Sequence, residues 1–209
     1  MNICLAGHAF RVPGCWLVCL WKEVRGTMEE AMQYLDLIRS DPFLHAMLVS
    51  YENAAAARTQ DSVLDYGCGY GWGSYILSDS FGQVTGYDPD ADRIGFARSM
   101  FARGNIAFVE DGKMLAGRRY DVVCLFMVLP YAKNGRDLLA RLGAYLKPEG
   151  VIWISYKSAD AALEAVIESW SAEWGFALLC SSVRRLSDQE GIVEQCYGRH
   201  RDEGWPYAL

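Results

Sequence analysis

Residues 65–71 read Asp-Tyr-Gly-Cys-Gly-Tyr-Gly, and they follow the short apolar run Ser-Val-Leu at 62–64. An acidic residue at a strand end, followed by three glycines at alternate positions, predicts a loop whose backbone a ligand can approach. Glycine adopts positive φ freely and carries no Cβ. Residues 72–77 read as a helix start, so free N–H groups and the positive end of the helix dipole should face this loop and favour an anionic group.

The glycine spacing allows more than one ligand. A dinucleotide fingerprint, G-x-G-x-x-G, that starts at Gly67 needs glycine where the chain has Trp72, and one that starts at Gly69 must accept Ser74 as its last small residue. The alternating spacing of one Asp and three Gly instead resembles the first motif of the class I S-adenosylmethionine-dependent methyltransferases.

The resemblance implies a set of residues around the methionine end of S-adenosylmethionine. Asp65 would help to hold that end, and an aromatic residue just ahead of the domain, Tyr51, would touch it. The loop itself would contribute Gly67, Cys68, Gly69, Tyr70 and Gly71.

A second acidic position follows the run Gln-Val-Thr-Gly-Tyr at 83–87. In a doubly wound sheet the end of the second strand lies beside the first glycine loop, where the carboxylate of Asp88 can accept from ribose hydroxyls. The alternative is that Asp88 caps the helix predicted at 91–103. Asp90 stands next to the helix start and is the better cap, which leaves Asp88, with Pro89 beside it, for a ligand.

The third strand, predicted at 105–109, is followed by Glu-Asp-Gly at 110–112. In the family an acidic residue here commonly accepts from the adenine amino group, four residues past the aromatic residue of the strand. That position is Gly112 in this chain. Either the side chain of Asp111 takes the role or the backbone of Asp111 and Gly112 does, and a solvated turn is the remaining alternative.

The fourth strand, predicted at 120–126, is a continuous apolar run, which indicates a strand buried on both faces. Many small-molecule members of the family carry Glu-His where this chain has Pro-Tyr at 130–131. Tyr131 is the first candidate for a catalytic base, ahead of His45 and Glu52. It could also hydrogen-bond the substrate or line the pocket, and the alternative is a partly buried tyrosine after a turn proline. The aromatic residues that could line the methyl-transfer site are Phe126, Tyr70 and Trp72.

The order of elements predicts a Rossmann-like three-layer α/β/α sandwich. Its seven-stranded sheet would be mostly parallel, with an antiparallel last strand, and a Pro-Glu-Gly turn at 148–150 would lead into the fifth strand. We expect a poorly ordered extension at 1–27, helices that cap the cofactor and substrate pocket at 28–60, the S-adenosylmethionine-binding domain at 61–202 and a short tail at 203–209.

Composition limits the partners. The chain has 209 residues with 20 basic and 26 acidic side chains, a net charge of −6, and an acidic chain argues against a nucleic-acid substrate. Seven scattered cysteines indicate neither a disulfide framework nor, with His8, a metal site. We expect a cytoplasmic monomer or homodimer that has no membrane partner and needs no metal.

These features predict a methyltransferase that uses S-adenosylmethionine and acts on a small-molecule acceptor, such as a sugar or another metabolite. Three alternatives stay open: a binding or regulatory protein of the same fold that has lost transfer, a nucleic-acid methyltransferase, and a nicotinamide oxidoreductase. No general base stands out, and an amine, thiol or carboxylate acceptor would not require one.

Overall fold

A computed structural model describes residues 40–56, 62–188 and 190–199. The expected extension at 1–27, residues 28–39 and 57–60 of the predicted helical region, and the tail at 203–209 lie outside the described residues. The helices are α1 Pro42–Ala56, α2 Trp72–Leu77, α3 Ala91–Met100, α4 Gly135–Ala144 and α5 Ala161–Trp174, with short 3₁₀ turns at Gly112–Leu115 and Leu129–Tyr131. The strands are β1 Ser62–Tyr66, β2 Gln83–Tyr87, β3 Ile106–Val109, β4 Tyr120–Phe126, β5 Leu146–Lys157, β6 Phe176–Arg185 and β7 Gly191–Arg199.

The chain divides into two compact units, Met1–His45 and Ala46–Leu209. All seven strands belong to the second unit. None of the helices among the described residues is both long enough and apolar enough to span a membrane.

The seven strands form one sheet in the order β3-β2-β1-β4-β5-β7-β6. The pairs β1–β2, β1–β4, β2–β3 and β4–β5 are parallel, and β7 is antiparallel to both β5 and β6. The predicted fold class, a mostly parallel Rossmann-like sheet with an antiparallel last strand, is confirmed. Strand order reverses direction between β1 and β4, and in open α/β sheets ligands bind outside the carboxyl ends of the strands at this point.

The helices that follow these strands begin at capping residues that the sequence provides. The side chain of Asp90 accepts from two backbone N–H groups at the start of α3, Asn134 from the N–H of Asp137 in α4, and Asp160 from that of Leu163 in α5. Each cap satisfies donors that have no partner inside the helix. The prediction that Asp90 caps α3 is confirmed.

The predicted turn at 148–150 is wrong, because these residues belong to β5. Tyr120 pairs with Leu146, but Val122 pairs with Val151, so the register shifts where Pro148 lies. A Cβ on Gly150 would stand 2.9 Å from the carbonyl oxygen of Tyr120. Proline has no N–H to give to a ladder, and a bulge in the strand accommodates it where a regular strand would not.

Asp121, near the start of β4, joins three elements at the amino ends of the strands. Its carboxylate accepts from the backbone N–H and the hydroxyl of Ser62 on β1, at 3.0 and 2.7 Å, and from the ammonium group of Lys147 at 2.8 Å. Asp121 therefore fixes β1 against β4 and β5 at the amino ends of the strands, whereas the glycine loop lies at their carboxyl ends.

Candidate active site

The loop between β1 and α2 is fastened to the neighbouring strand by its own backbone. The N–H groups of Gly67 and Cys68 both donate to the carbonyl of Tyr87, at 2.7 and 2.9 Å, and that of Gly71 donates to Cys68 at 3.0 Å. The N-cap residue of α2 is Gly71, which has no side chain with which to cap the first turn. The N–H groups of that turn, rather than those at 67, 68 and 71, are therefore the donors that a ligand can use.

Two of the loop glycines have different physical reasons for being glycine. Both lie in the left-handed region, with φ of +56° at Gly69 and +88° at Gly71. A Cβ on Gly71 would stand 2.6 Å from the Cβ of Ala97 and 2.9 Å from the ring of Phe108, whereas a Cβ on Gly69 would meet nothing within 4 Å. Gly71 is thus required by packing, and Gly69 borders open space that a ligand can enter.

Asp65, the acidic residue at the end of β1, is buried and hydrogen-bonded on both oxygens. The hydroxyl of Tyr51 donates to Oδ1 at 3.1 Å, and the hydroxyl of Ser74 in α2 donates to Oδ2 at 2.7 Å. Burial raises the pKa of Asp65 from 3.8 to about 6, although the bonds from Ser74 and Tyr51 act in the opposite direction. The carboxylate thus links α1, β1 and α2, and a cation close to it would be stabilised.

Tyr51 places α1 over the carboxyl ends of β1 and β4. Its ring lies edge-on to Trp72, with centroids 5.1 Å apart, and to Phe126 at the end of β4, at 4.8 Å. A Cβ on Gly73 would stand 2.0 Å from this ring, so glycine at 73 lets α2 approach Tyr51. The structure therefore brings together three of the predicted residues, Tyr51, Asp65 and Phe126. Their contact with a ligand stays a prediction.

Asp88 lies where the sequence predicted it, just after β2 and beside the glycine loop. Although Asp90 rather than Asp88 caps α3, the carboxylate of Asp88 already accepts two hydrogen bonds from the backbone. Its two oxygens accept from the N–H of Gly69 and from that of Asp90, both at 3.0 Å, and the residue is 5% exposed. A buried carboxylate needs such donors. Each oxygen retains a second acceptor position, so the ribose role stays a prediction. Pro89 is exposed.

Two loop residues that were predicted to bind the cofactor, Cys68 and Tyr70, pack their side chains against other parts of the protein. Cys68 is buried in a small cluster with Ile94 and Phe108. Tyr70 is 55% exposed and packs edge-on against Phe96, with ring centroids 5.5 Å apart. Residue 68 could therefore contact a cofactor only through its backbone, and residue 70 through its backbone or its exposed tyrosine ring.

The residues predicted for adenine and for the acceptor lie on the two 3₁₀ turns. The carboxylate of Asp111 accepts from the N–H of Lys113 at 2.9 Å and so caps the turn that Gly112 begins. Tyr131 ends the second turn and is 86% exposed, so the alternative of a partly buried tyrosine is wrong. The adenine role of 111–112 and the catalytic role of Tyr131 stay predictions.

Two residues of this region were not predicted from the sequence: Met127, and Ser74 beyond its place as a small residue in a glycine pattern. Met127 directly follows β4 and has φ of +57°, which is uncommon outside glycine and marks a strained position at the switch point. Its N–H donates to the carbonyl of Ser155 on β5 at 3.0 Å. No signal in a single sequence announces a positive φ at methionine. The Ser74 contact was foreseeable only once α2 was placed beside Asp65.

The comparisons with known proteins agree with this geometry. A family model described as a methyltransferase domain matches residues 42–194. The chain belongs to the class I S-adenosylmethionine-dependent methyltransferases. Its cofactor is S-adenosylmethionine. The residues present can accommodate the cofactor, because open space lies where a Cβ of residue 69 would stand and the carboxylate of Asp88 lies beside it.

Relatives of the methyltransferase act on several classes of acceptor. A Streptomyces fradiae protein named dTDP-3-amino-3,6-dideoxy-alpha-D-glucopyranose N,N-dimethyltransferase is 35% identical over 98 residues, which cover 44% of this chain and 37% of that protein. The N-methyltransferase NodS of Bradyrhizobium japonicum WM9, solved with S-adenosylhomocysteine, aligns with a TM-score of 0.65 at 16% identity over 88% of this chain and 97% of its own. The Synechocystis PCC 6803 magnesium protoporphyrin IX methyltransferase, solved with S-adenosylmethionine, aligns with a TM-score of 0.60 at 17% identity over 93% and 100%.

The carboxylate of Asp88 provides a direct test of the cofactor site. In the Asp88→Asn variant both N–H donors lose their charged partner, and an amide nitrogen, which cannot accept, faces either the Gly69 or the Asp90 N–H. Hydrogen bonds to charged groups contribute about 1.5–3 kcal/mol. We expect the affinity for S-adenosylhomocysteine, measured by calorimetry, to fall about tenfold to hundredfold.

Asp90→Asn is the matched control for this variant, because Asn caps a helix as well as Asp does. Asp90 is exposed, and we expect the affinity of its variant to match that of the wild type. If both variants lost the same affinity for S-adenosylhomocysteine, the carboxylate of Asp88 would have no specific role in binding.

Proposed function

We propose that this methyltransferase acts on a small-molecule acceptor and that the atom it methylates is an amino nitrogen, with amino sugars the class to examine first. Two relatives support the proposal: the Streptomyces relative is named as an amino-sugar N,N-dimethyltransferase, and NodS is named as an N-methyltransferase. The first matches over a minor part of its length and the second is distant in sequence, so their acceptors suggest a class and no particular compound.

The observation that carries the proposal is the way α1 covers the acceptor side of the sheet. Tyr51 is 4% exposed, bonds to Asp65 at the end of β1 and contacts Phe126 at the end of β4. A helix fastened over this crevice suits a small acceptor better than a long polymer. The net charge of −6 also works against attraction to a polyanion.

The residues of the chain would act mainly by position. Bound S-adenosylmethionine supplies a methyl group that its sulfonium sulfur has already activated. Gly69 and the first turn of α2 would receive the methionine end, Asp88 the ribose and residues 111–112 the adenine. Tyr51, Trp72 and Phe126 would exclude water from the transfer site. Holding the acceptor in line can contribute about 7–11 kcal/mol to the rate.

Transfer of a labelled methyl group to a panel of acceptors tests the proposal. The panel contains dTDP-linked amino sugars, free amino sugars, the matching hydroxyl sugars and a bulk RNA and DNA sample. We expect label in the amino sugars alone. Label in RNA or DNA would support the nucleic-acid alternative. Binding of S-adenosylmethionine without transfer to any acceptor would support a protein that has lost transfer.

A further inference from the structure

Three residues in register cross the sheet beside the transfer site. Phe126 on β4 pairs with Ser155 on β5, and Ser155 pairs with Glu194 on β7. Paired residues of neighbouring strands project to the same face of a sheet. This is the face that α1 covers, because Tyr51 contacts Phe126 and the side-chain amide of Asn53 donates to Oε1 of Glu194 at 2.9 Å.

Glu194 is a buried carboxylate, 5% exposed, that forms no salt bridge with any residue that the structure describes. Burial raises the pKa of Glu194, against hydrogen bonds from Ser50 and Asn53 and the more distant charge of Arg184. Two neutral donors and a distant arginine leave much of the cost of burying this charge uncompensated. A bound cation would supply the missing partner.

The neighbours of Glu194 add unpaired polar atoms on the same face. The hydroxyl of Ser155 is fully buried, and the indole N–H of Trp153, two residues earlier on β5, is also buried; neither has a hydrogen-bond partner in the described part of the chain. Buried polar atoms in native proteins nearly always have partners. The main hydrophobic core also contains such atoms, on Tyr120, Tyr156 and Trp170. Ser155 differs from them because it stands in register with a carboxylate that has no counterion among the described residues, and a bound amine could use both groups.

We propose that Glu194 and Ser155 form the subsite that binds the amino group of the acceptor, while Asn53 holds the carboxylate in place. The carboxylate accepts from one N–H of the ammonium or amine, and Oγ of Ser155 accepts from another. The subsite lies next to Phe126, so an amine held there is beside the transfer site. This inference rests on the proposed function in so far as the acceptor is an amine. The competing explanation is that Glu194 only fastens α1 to the sheet.

The test measures binding to protein loaded with S-adenosylhomocysteine, so that no turnover is needed. The probes are amine–alcohol pairs of the same shape: dTDP-3-amino-3,6-dideoxyglucose with dTDP-6-deoxyglucose, and glucosamine with glucose. We expect the wild type to bind at least one amine about tenfold or more tightly than its alcohol. Glu194→Gln keeps an acceptor for Asn53 but removes the charge, and we expect it to lose this preference.

Two further variants separate recognition from folding. Glu190→Gln, at the exposed residue directly before β7, should keep the full preference. Ser155→Ala removes an unpaired hydroxyl, so we expect its thermal stability to equal or exceed that of the wild type while its amine preference falls severalfold. A purely structural Glu194 predicts that the amine preference of Glu194→Gln equals that of the wild type.

Each outcome decides the inference. If the wild type prefers no amine to its alcohol, the subsite is overturned, whatever the transfer assay shows. If Glu194→Gln does not fold, Ser155→Ala decides: an unchanged preference overturns the subsite and a reduced one supports it. If an amine is preferred but never methylated, the subsite stands and the proposed function fails.

Discussion

Alanine at two nearby glycines of the loop is expected to produce different defects: a loss of stability at Gly71 and a loss of ligand affinity at Gly69. Gly71→Ala should lose about 2–5 kcal/mol of folding free energy, because a left-handed residue other than glycine costs about 1–2 kcal/mol and overpacking adds about 1–3 kcal/mol. The overpacking arises because the new Cβ would stand 2.6 Å from Ala97 and 2.9 Å from Phe108. Such a loss is a large part of the stability of a typical domain. Urea denaturation measures it.

Gly69→Ala is the matched variant, because its φ is also left-handed but its Cβ would meet nothing within 4 Å. We expect it to fold with a loss of about 1 kcal/mol. Its Cβ would project into the space that a ligand needs, so the affinity for S-adenosylhomocysteine should fall at least tenfold. If Gly69→Ala bound the ligand like the wild type, the cofactor would not approach the loop at this residue.

The sequence predicts most of what local chemistry controls. The glycine loop, the start of α2 at Trp72 and the cap at Asp90 depend on residue types within a few positions of one another, and the structure has each where it was predicted. The apolar run of β4 indicates its burial for the same reason. The bulge at 148–150 was missed because it depends on the register between β4 and β5, which no local pattern specifies.

The candidate site shows the same division. Proximity of Asp65, Asp88 and the loop follows from strand order, which the family resemblance supplied. The subsite around Glu194 does not follow, because it joins α1, β5 and β7, which are far apart in sequence. The available signal was a Glu-Gln pair inside the otherwise apolar strand at 191–197, and polar residues inside a strand that is buried on both faces require an explanation.

The buried carboxylate of Asp65 is expected to make the protein less stable as the pH rises from about 4 to 6. Its pKa is about 6 when folded, against 3.8 for an ordinary aspartate. The folded protein therefore binds more protons in this window, and stability falls as they are lost. A difference of about two pKa units corresponds to about 3 kcal/mol. Asp65→Asn should thus be more stable than the wild type at pH 7.5, by about 1–3 kcal/mol, and the difference should shrink towards pH 4.

Asp121→Asn should show the opposite sign, which makes it the control for this experiment. Burial raises the pKa of Asp121, but the bonds from Lys147 and Ser62 outweigh this effect and lower the pKa below its ordinary value. Its stabilisation is therefore present at neutral pH and is lost as the pH falls through the folded-state pKa. We expect Asp121→Asn to lose about 1 kcal/mol at pH 7.5 and nothing in strong acid. Urea denaturation at several pH values measures the unfolding free energy of both variants. If both substitutions changed stability in the same direction, burial would not destabilise the charge of Asp65. A stabilising Asp65→Asn that also binds S-adenosylhomocysteine less tightly would indicate that the carboxylate is kept for the ligand at the expense of the fold.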